Sequence, residues 1–595
     1  MSKKIKTTPT KNSSKNGPFG IEEMKISISS DDTVRIESKK VRPQRALILQ
    51  GGGALGAYEA GVFRSLAEEL TEEDEKNGEK DRPLFDIVAG SSIGAVNAAL
   101  LVSYVVQNKS WIGADNMLYQ FWDDLSNPTW WAPGWVKDIP IFIRWRQFWI
   151  DSVQDNDLNG YMWNCWKVLR EIWNKYYNNN YPLVIENDIK YERPLGFPIP
   201  YLTDDWPYFG WIGSDENWKE EKPWISSFYW WPENLGPIAS GETARRYFSY
   251  ARSVIFGAPH VLSPAIMQPD WKFFDPAHSF TRFDNKPLER TIKKYWDYDK
   301  LPLKTYFEKN QPRLLLVSVD VQDCRTAVAF DSYEKENGRC KTEYGDDTLR
   351  HVFEYDGITI DHVAASMSTH LRYKYPKFRS RDESVKNYSE DGQEVRGEKV
   401  GITVEQKDRY FWDGAYLSNT PLREVLQAHR DYWHKVRNAE VPDLEIYIVN
   451  LYPSTEKSLS GVIADLDVIQ DREIDIKFHD RTDYDIQAAN TTTDYVDLTK
   501  AIIDLALKHT NNSNSFQSDL VSILNSQTRS KGRNRMYKKY GDLLAGRFRI
   551  IKVGYIERID DGNTIFGKAF EFSYRTVNDL RDSGYRDASE NMRYD

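Results

Sequence analysis

Cysteine is scarce in this chain: Cys165, Cys324 and Cys340 are the only three in 595 residues, and no metal-type spacing relates them. An odd, sparse set argues against a disulfide framework and fits a reducing compartment. Excess positive charge is missing too. The formal net charge is -10, which disfavours non-specific binding to nucleic acid and gives no electrostatic pull toward an anionic membrane. The first twenty residues, MSKKIKTTPTKNSSKNGPFG, are basic and polar without the apolar core of a signal peptide. Residues 1–44 therefore read as a disordered tail. The expected location is cytoplasmic, with at most peripheral, transient contact with a membrane surface.

One stretch lacks charge altogether. From Ile87 to Val106, in FDIVAGSSIGAVNAALLVSYVV, twenty successive residues carry none, a length at which a transmembrane helix is considered. Its interior argues otherwise. Gly90, Ser91, Ser92, Gly94 and Asn97 stand where a span would carry Leu or Ile, and no basic cluster flanks it. A strand, a sharp turn and a buried helix account for it better. In GSSIG, Gly90 and Gly94 bracket Ser92 at two residues on either side. A serine on a strained strand-to-helix turn needs small neighbours where chains pass close by. The following helix turns its free N–H groups and positive dipole end toward the serine oxygen.

The same pattern occurs just upstream. RALILQ, Arg45 to Gln50, is a short apolar run that stops at GGGALG, Gly51 to Gly56, after which GAYEAGVFRSLAEEL takes helical spacing. Strand–helix–strand–helix at this interval implies a parallel sheet covered by helices. Gly51, Gly53 and Gly56 match the dinucleotide fingerprint, which would make the chain a nucleotide-binding oxidoreductase. That reading needs an acid at the end of the second strand. The strand ends in Ala89-Gly90-Ser91, and Asp86 lies near its start. The alternative treats Gly51, Gly52 and Gly53 as an oxyanion hole of unhindered amides at a helix N-terminus, beside the serine that the next strand delivers.

None of the nine histidines sits in a context that marks it as the base. A carboxylate remains: in FWDGAYLSNTPL, Asp413 follows three aromatic residues and precedes Gly414 and Ala415. Aromatic neighbours lower the hydration of an acid and raise its basicity, and small residues after it let a substrate approach.

GGGALG, GSSIG and DGA, in that order, resemble the patatin-like phospholipase family. GAYEAGVFRSLAEEL, FDIVAGSSIGAVNAALL, HVAAS, FWDGAYLSNTPL and the late KAFEFSYRTVNDLRDSGYRDA are similar to segments of it. The resemblance implies a three-layer α/β/α fold with a mainly parallel sheet, no metal or other cofactor, and hydrolysis of lipid acyl esters through an acyl-enzyme. By residue it makes Ser92 the nucleophile, Asp413 the base and Gly51 to Gly53 the hole, with Gly56, Gly90, Gly94, Gly414 and Ala415 shaping the motifs. The chain departs from the family pattern at Thr369-His370, where a small residue and proline are usual and the acyl groove is shaped.

The expected organisation is a tail (1–44), a catalytic domain in two parts (45–106 and 241–453), an insertion (107–240) and a C-terminal α/β extension (454–595). Sixteen of the 20 tryptophans fall between Trp111 and Trp231. They form either an aromatic core for the insertion or a lid that meets lipid or a partner. In the latter case the chain could act as a scaffold without catalysis. Among the outer elements, LEIYIVNLYP reads as a strand, RSRDESVKNYSEDGQEVRGEK (Arg379 to Lys399) as a solvated loop, and RFRIIKVGYIERIDD as part of a C-terminal strand pair.

Overall fold

The computed structural model describes residues 42–127, 241–264, 283–296, 302–369, 375–385, 402–454, 466–510, 514–526 and 539–594, apart from positions 336, 337, 346–348, 562 and 591. The expected tail up to residue 41 and the Trp-rich stretch from 128 to 240 lie outside the described residues.

The described residues form thirteen strands: β1 (Gln44–Leu49), β2 (Ile87–Ser91), β3 (Ser263–Pro264), β4 (Phe283–Asp284), β5 (Arg313–Asp320), β6 (Ala327–Asp331), β7 (Cys340–Gly345), β8 (Leu349–Tyr355), β9 (Lys377–Val385), β10 (Ile402–Asp413), β11 (Leu444–Asn450), β12 (Ile550–Glu557) and β13 (Arg593–Tyr594). All but β3 and β4 join one sheet in the order β13-β12-β11-β1-β2-β5-β10-β9-β8-β7, with β6 also paired to β5. The centre, β12-β11-β1-β2-β5, is parallel. From β10 outward the sheet becomes an antiparallel wing.

Side-chain alternation separates two buried faces. Leu47, Leu49, Val88, Leu314, Leu316, Tyr447 and Val449 pack into one core, while Ala46, Ile48, Ile87, Ala89, Leu315, Ile446 and Ile448 pack into another. A sheet buried on both faces requires helices on both, and the result is the expected α/β/α arrangement. On the first face lie α1 (Ala57–Asn77), α2 (Ile93–Asn108) and α3 (Ala114–Leu125); on the second lies the helix Leu422–Asp431.

Helix α2 explains the uncharged run. Ala95, Val96, Ala98, Ala99, Leu100, Leu101 and Val102 are all wholly buried inside the protein. Among the described residues no helix is long and apolar enough to cross a membrane. Helix α3 lies within the stretch read as insertion, yet Phe121 and Trp122 are buried in the main core.

Two elements differ from the sequence reading. Residues 379–385 of the charged stretch form part of β9 rather than a solvated loop. Its charges are matched across the strands: Lys377 with Asp408, Arg381 with Glu354, and Arg350 with Glu383. Polar residues can fill a strand when their cross-strand partners have opposite charge. The C-terminal β12 pairs in parallel with β11, so it extends the central sheet instead of forming a separate strand pair. The helix Tyr574–Glu590 then packs on α1 at a glycine–glycine crossing, where a Cβ on Gly61 would strike the Arg581 carbonyl and one on Gly584 the Tyr58 carbonyl.

Candidate active site

The parallel register brings Leu49 level with Gly90 and Ser91 level with Val317, while Asp413 lies opposite Ser318. The ends of β1, β2 and β10 therefore converge at one edge of the sheet. Elements separated by more than 300 residues in sequence meet there.

Ser92 occupies the turn between β2 and α2 with φ 53° and ψ −123°. A left-handed backbone on a non-glycine residue costs on the order of 1–3 kcal/mol and has to be imposed by its surroundings. A Cβ on Gly90 would strike the Gly94 carbonyl, and one on Gly94 the Leu49 carbonyl. These two glycines let three chains pass at the turn. The Ser92 amide donates to Ser366 Oγ at 3.1 Å, and that hydroxyl donates to the Val317 carbonyl at 2.5 Å. Ser366 thus ties the strained turn to β5.

The Ser92 hydroxyl donates to Asp413 Oδ2 at 2.7 Å. The Ala415 amide donates to Asp413 Oδ1 at 2.9 Å, and the Asp413 amide donates to the Ser368 carbonyl at 2.9 Å. Asp413 is 1% exposed. Among the described residues no Lys, Arg or His pairs with it. Burial pushes its pKa from 3.8 up to about 7, and the Ala415 amide and Ser92 hydroxyl offset only part of that rise. The result is an acid whose proton affinity suits a general base near neutral pH.

Four of the described histidines are engaged elsewhere. His362 bonds Thr359 at the start of the helix Ile360–Met367, His429 bonds the Pro442 carbonyl, His351 bonds Asp382 and His479 bonds the Ile476 carbonyl. Burial pushes both His362 and His429 down to about 3, so both are neutral.

The glycine loop faces this pair. Gly51 abuts Ser92: a Cβ there would stand 2.8 Å from the serine Cβ. Its amide, however, donates to Asn419, at 3.1 Å from Oδ1 and 3.3 Å from the carbonyl. Gly52 and Gly53 follow with no hydrogen bond to their amides among the described residues. Gly53 has φ 59°, and a Cβ on it would strike the Ala569 carbonyl. Behind the loop, Asn97 on α2 donates to the Gly56 carbonyl at 3.0 Å and to Glu59 Oε2 at 2.7 Å, while accepting from Trp122 Nε1 at 3.2 Å. Burial raises the pKa of Glu59 well above its ordinary value. Asp86, the acid nearest to what a dinucleotide site would need, is paired with Arg42 at the opposite end of β2.

Sequence reading used Asn97 only as an argument against a span and did not single out Gln50, Ser366 or Asn419. Each is a polar residue inside a motif segment, buried to below a tenth of its surface. Their only signal was polarity where the pattern is otherwise small or apolar.

A strained serine at the carboxyl edge of a parallel sheet is thus hydrogen-bonded to a buried carboxylate within an α/β fold. Residues 47–184 match the model of the patatin-like phospholipase family. No curated protein matches the chain. Among solved structures, the crystal structure of VipD from Legionella pneumophila aligns over 91% of this chain and 68% of its own, at 11% identity and a TM-score of 0.22.

Proposed function

We propose that the chain is a lipid acyl hydrolase in which Ser92 is the nucleophile and Asp413 its general base. The 2.7 Å hydrogen bond between them, inside a pocket dry enough to raise Asp413 to about 7, is the observation that carries this reading. As Ser92 Oγ attacks an ester carbonyl, its proton passes to Asp413. The carbonyl oxygen becomes an oxyanion that the Gly52 and Gly53 amides and the N-terminus of α2 stabilise. Of the three expected hole residues, Gly51 has a different part, because its amide is held by Asn419. Collapse of the tetrahedral intermediate breaks the ester C–O bond, and Asp413 returns the proton to the departing alcohol. Asp413 then takes a proton from water, whose attack frees the fatty acid and restores Ser92.

Substrate class rests on the match of residues 47–184 to the patatin-like phospholipase family. The net charge of -10 disfavours nucleic acid, and brief contact with a lipid surface belongs to the same proposal. The test is release of free fatty acid from phosphatidylcholine micelles by the full chain. Release by wild type that disappears in Ser92→Ala supports the reading. Equal release by both proteins overturns it, and so does no release from phospholipid or simple esters by a folded wild type.

A further inference from the structure

The glycine loop is held from outside its own motif, by two contacts that converge on one C-terminal helix, Leu466–Phe478. The first runs through the last residue of that helix. The Phe478 carbonyl accepts from Asn419 Nδ2 at 2.9 Å and from Gln50 Nε2 at 3.1 Å. Asn419 in turn holds the Gly51 amide, and Gln50 Oε1 accepts from the Leu451 and Tyr452 amides at 2.6 and 3.0 Å. The second runs through one face of the helix. Asp467, Asp471 and Asp475 recur every four residues and share that face. Asp467 accepts from the Phe566 amide at 3.1 Å, and Lys568 Nζ lies 3.0 Å from Asp471 and 2.6 Å from Asp475. Asp560 meets the same ammonium at 3.1 Å. The short turn that Lys568 opens, Lys568–Phe570, brings the Ala569 carbonyl against Gly53.

The two contacts meet the loop at Gly51 and Gly53, while among the described residues the Gly52 and Gly53 amides carry no hydrogen bond. We infer that the helix Leu466–Phe478, acting through Asn419 and Lys568, is a brace that fixes the aim of the Gly52 and Gly53 amides, and that Asn419 and Lys568 are positioning residues. This rests on the proposed hydrolase chemistry. A loop of three glycines is otherwise among the most pliable of backbones. Hole donors contribute only if they are preorganised toward the developing charge. The ammonium of Lys568 is buried, so the ion pairs that seat it are not interchangeable with water contacts.

The experiment compares Asn419→Ala and the charge-balanced Lys568→Gln/Asp475→Asn with wild type, using p-nitrophenyl butyrate and an alkyl trifluoromethyl ketone. That ketone adds to the serine and places an oxyanion in the hole. In each variant kcat should fall by about tenfold or more with KM within about twofold, and the ketone should weaken by the same factor as kcat. Binding of the matching alkyl alcohol, which forms no oxyanion, should hold. If Lys568→Gln/Asp475→Asn does not fold, Asn419→Ala alone decides. An active wild type whose variants match it in kcat sinks the brace and leaves the hydrolase standing. So does a variant whose kcat falls while the ketone keeps its affinity. A folded wild type that neither turns over ester nor binds the ketone sinks both.

Discussion

The sheet edge that carries Ser92 and the body of the antiparallel wing both bury aspartates, and they treat them in opposite ways. In the wing, Arg409 lies 2.6 Å from Asp320 and 2.6 Å from Asp382, and His351 bonds Asp382 at 2.9 Å. Burial alone would raise Asp382, but hydrogen bonds from Arg409, His351 and Ser380 hold it down at about 2. Asp331, beside Arg313 at 2.5 Å, is likewise held low against its burial. At the end of β10, beside Ser92, Asp413 is buried as deeply but has, among the described residues, a hydroxyl and one amide bound to its side chain for company, and it rises to about 7. An aspartate locked to a guanidinium is a permanent anion that ties strands together. One left without a cation keeps an exchangeable proton. Burial does not distinguish the two roles; the partners do.

The largest effects should come from the unpaired acid and its serine. Ser92→Ala and Asp413→Asn should each lower ester hydrolysis by at least about 10³-fold. Asp413→Asn should also alter stability, with a sign opposite to that of a paired acid. The native pKa is above the unfolded one, so the native state binds more protons. Wild-type stability from this group therefore declines as pH rises from about 4 to about 7, by up to roughly 4 kcal/mol. Denaturant unfolding should show Asp413→Asn gaining on wild type between about pH 4.5 and about pH 8. A gap that does not change with pH would break the contrast between the two regions.

Arg409→Met tests the other side. It strands Asp320 and Asp382, and should cost about 3–5 kcal/mol in unfolding free energy. The kcat of the folded fraction should change by less than about threefold. Loss of turnover with stability intact would place the wing in the chemistry. A third change probes the glycine loop itself. Gly53→Ala must accommodate a φ of 59° and a collision with the Ala569 carbonyl, and should lower kcat by about 10²-fold, the scale of a lost oxyanion donor. The smallest effect is the pH profile. If Asp413 must be ionised to accept the proton, kcat/KM should be about tenfold lower at about pH 6 than at about pH 8, with the midpoint near 7. A profile flat across that interval would mean that a different group takes the proton.

The central motifs were legible because local rules govern them. A strand that stops at Gly51, a serine between Gly90 and Gly94, and an aspartate before Gly414 each announce a turn where chains crowd. The α/β/α layering followed from short apolar runs alternating with helical periodicity. The wing was harder to read. Strand β9 carries Arg379, Arg381, Asp382 and Glu383, a composition typical of a loop, and becomes a strand only because Arg409, Glu354 and Arg350 lie across from it. Sequence does not display those partners. The same holds for Asn419 and Lys568, whose meaning depends on a helix whose sequence reads as one more polar surface element. Asp467, Asp471 and Asp475 at intervals of four were the available clue to a buried cation opposite them.

The most direct test of the unpaired-acid account is fluorophosphonate labelling of the full chain at neutral pH, with the modified peptide mapped. The expected result is phosphonylation at Ser92 in wild type, none at that site in Ser92→Ala, and labelling slowed at least about 10²-fold in Asp413→Asn. A folded wild type that takes no label at Ser92, or one labelled there just as fast without the Asp413 carboxylate, would contradict it.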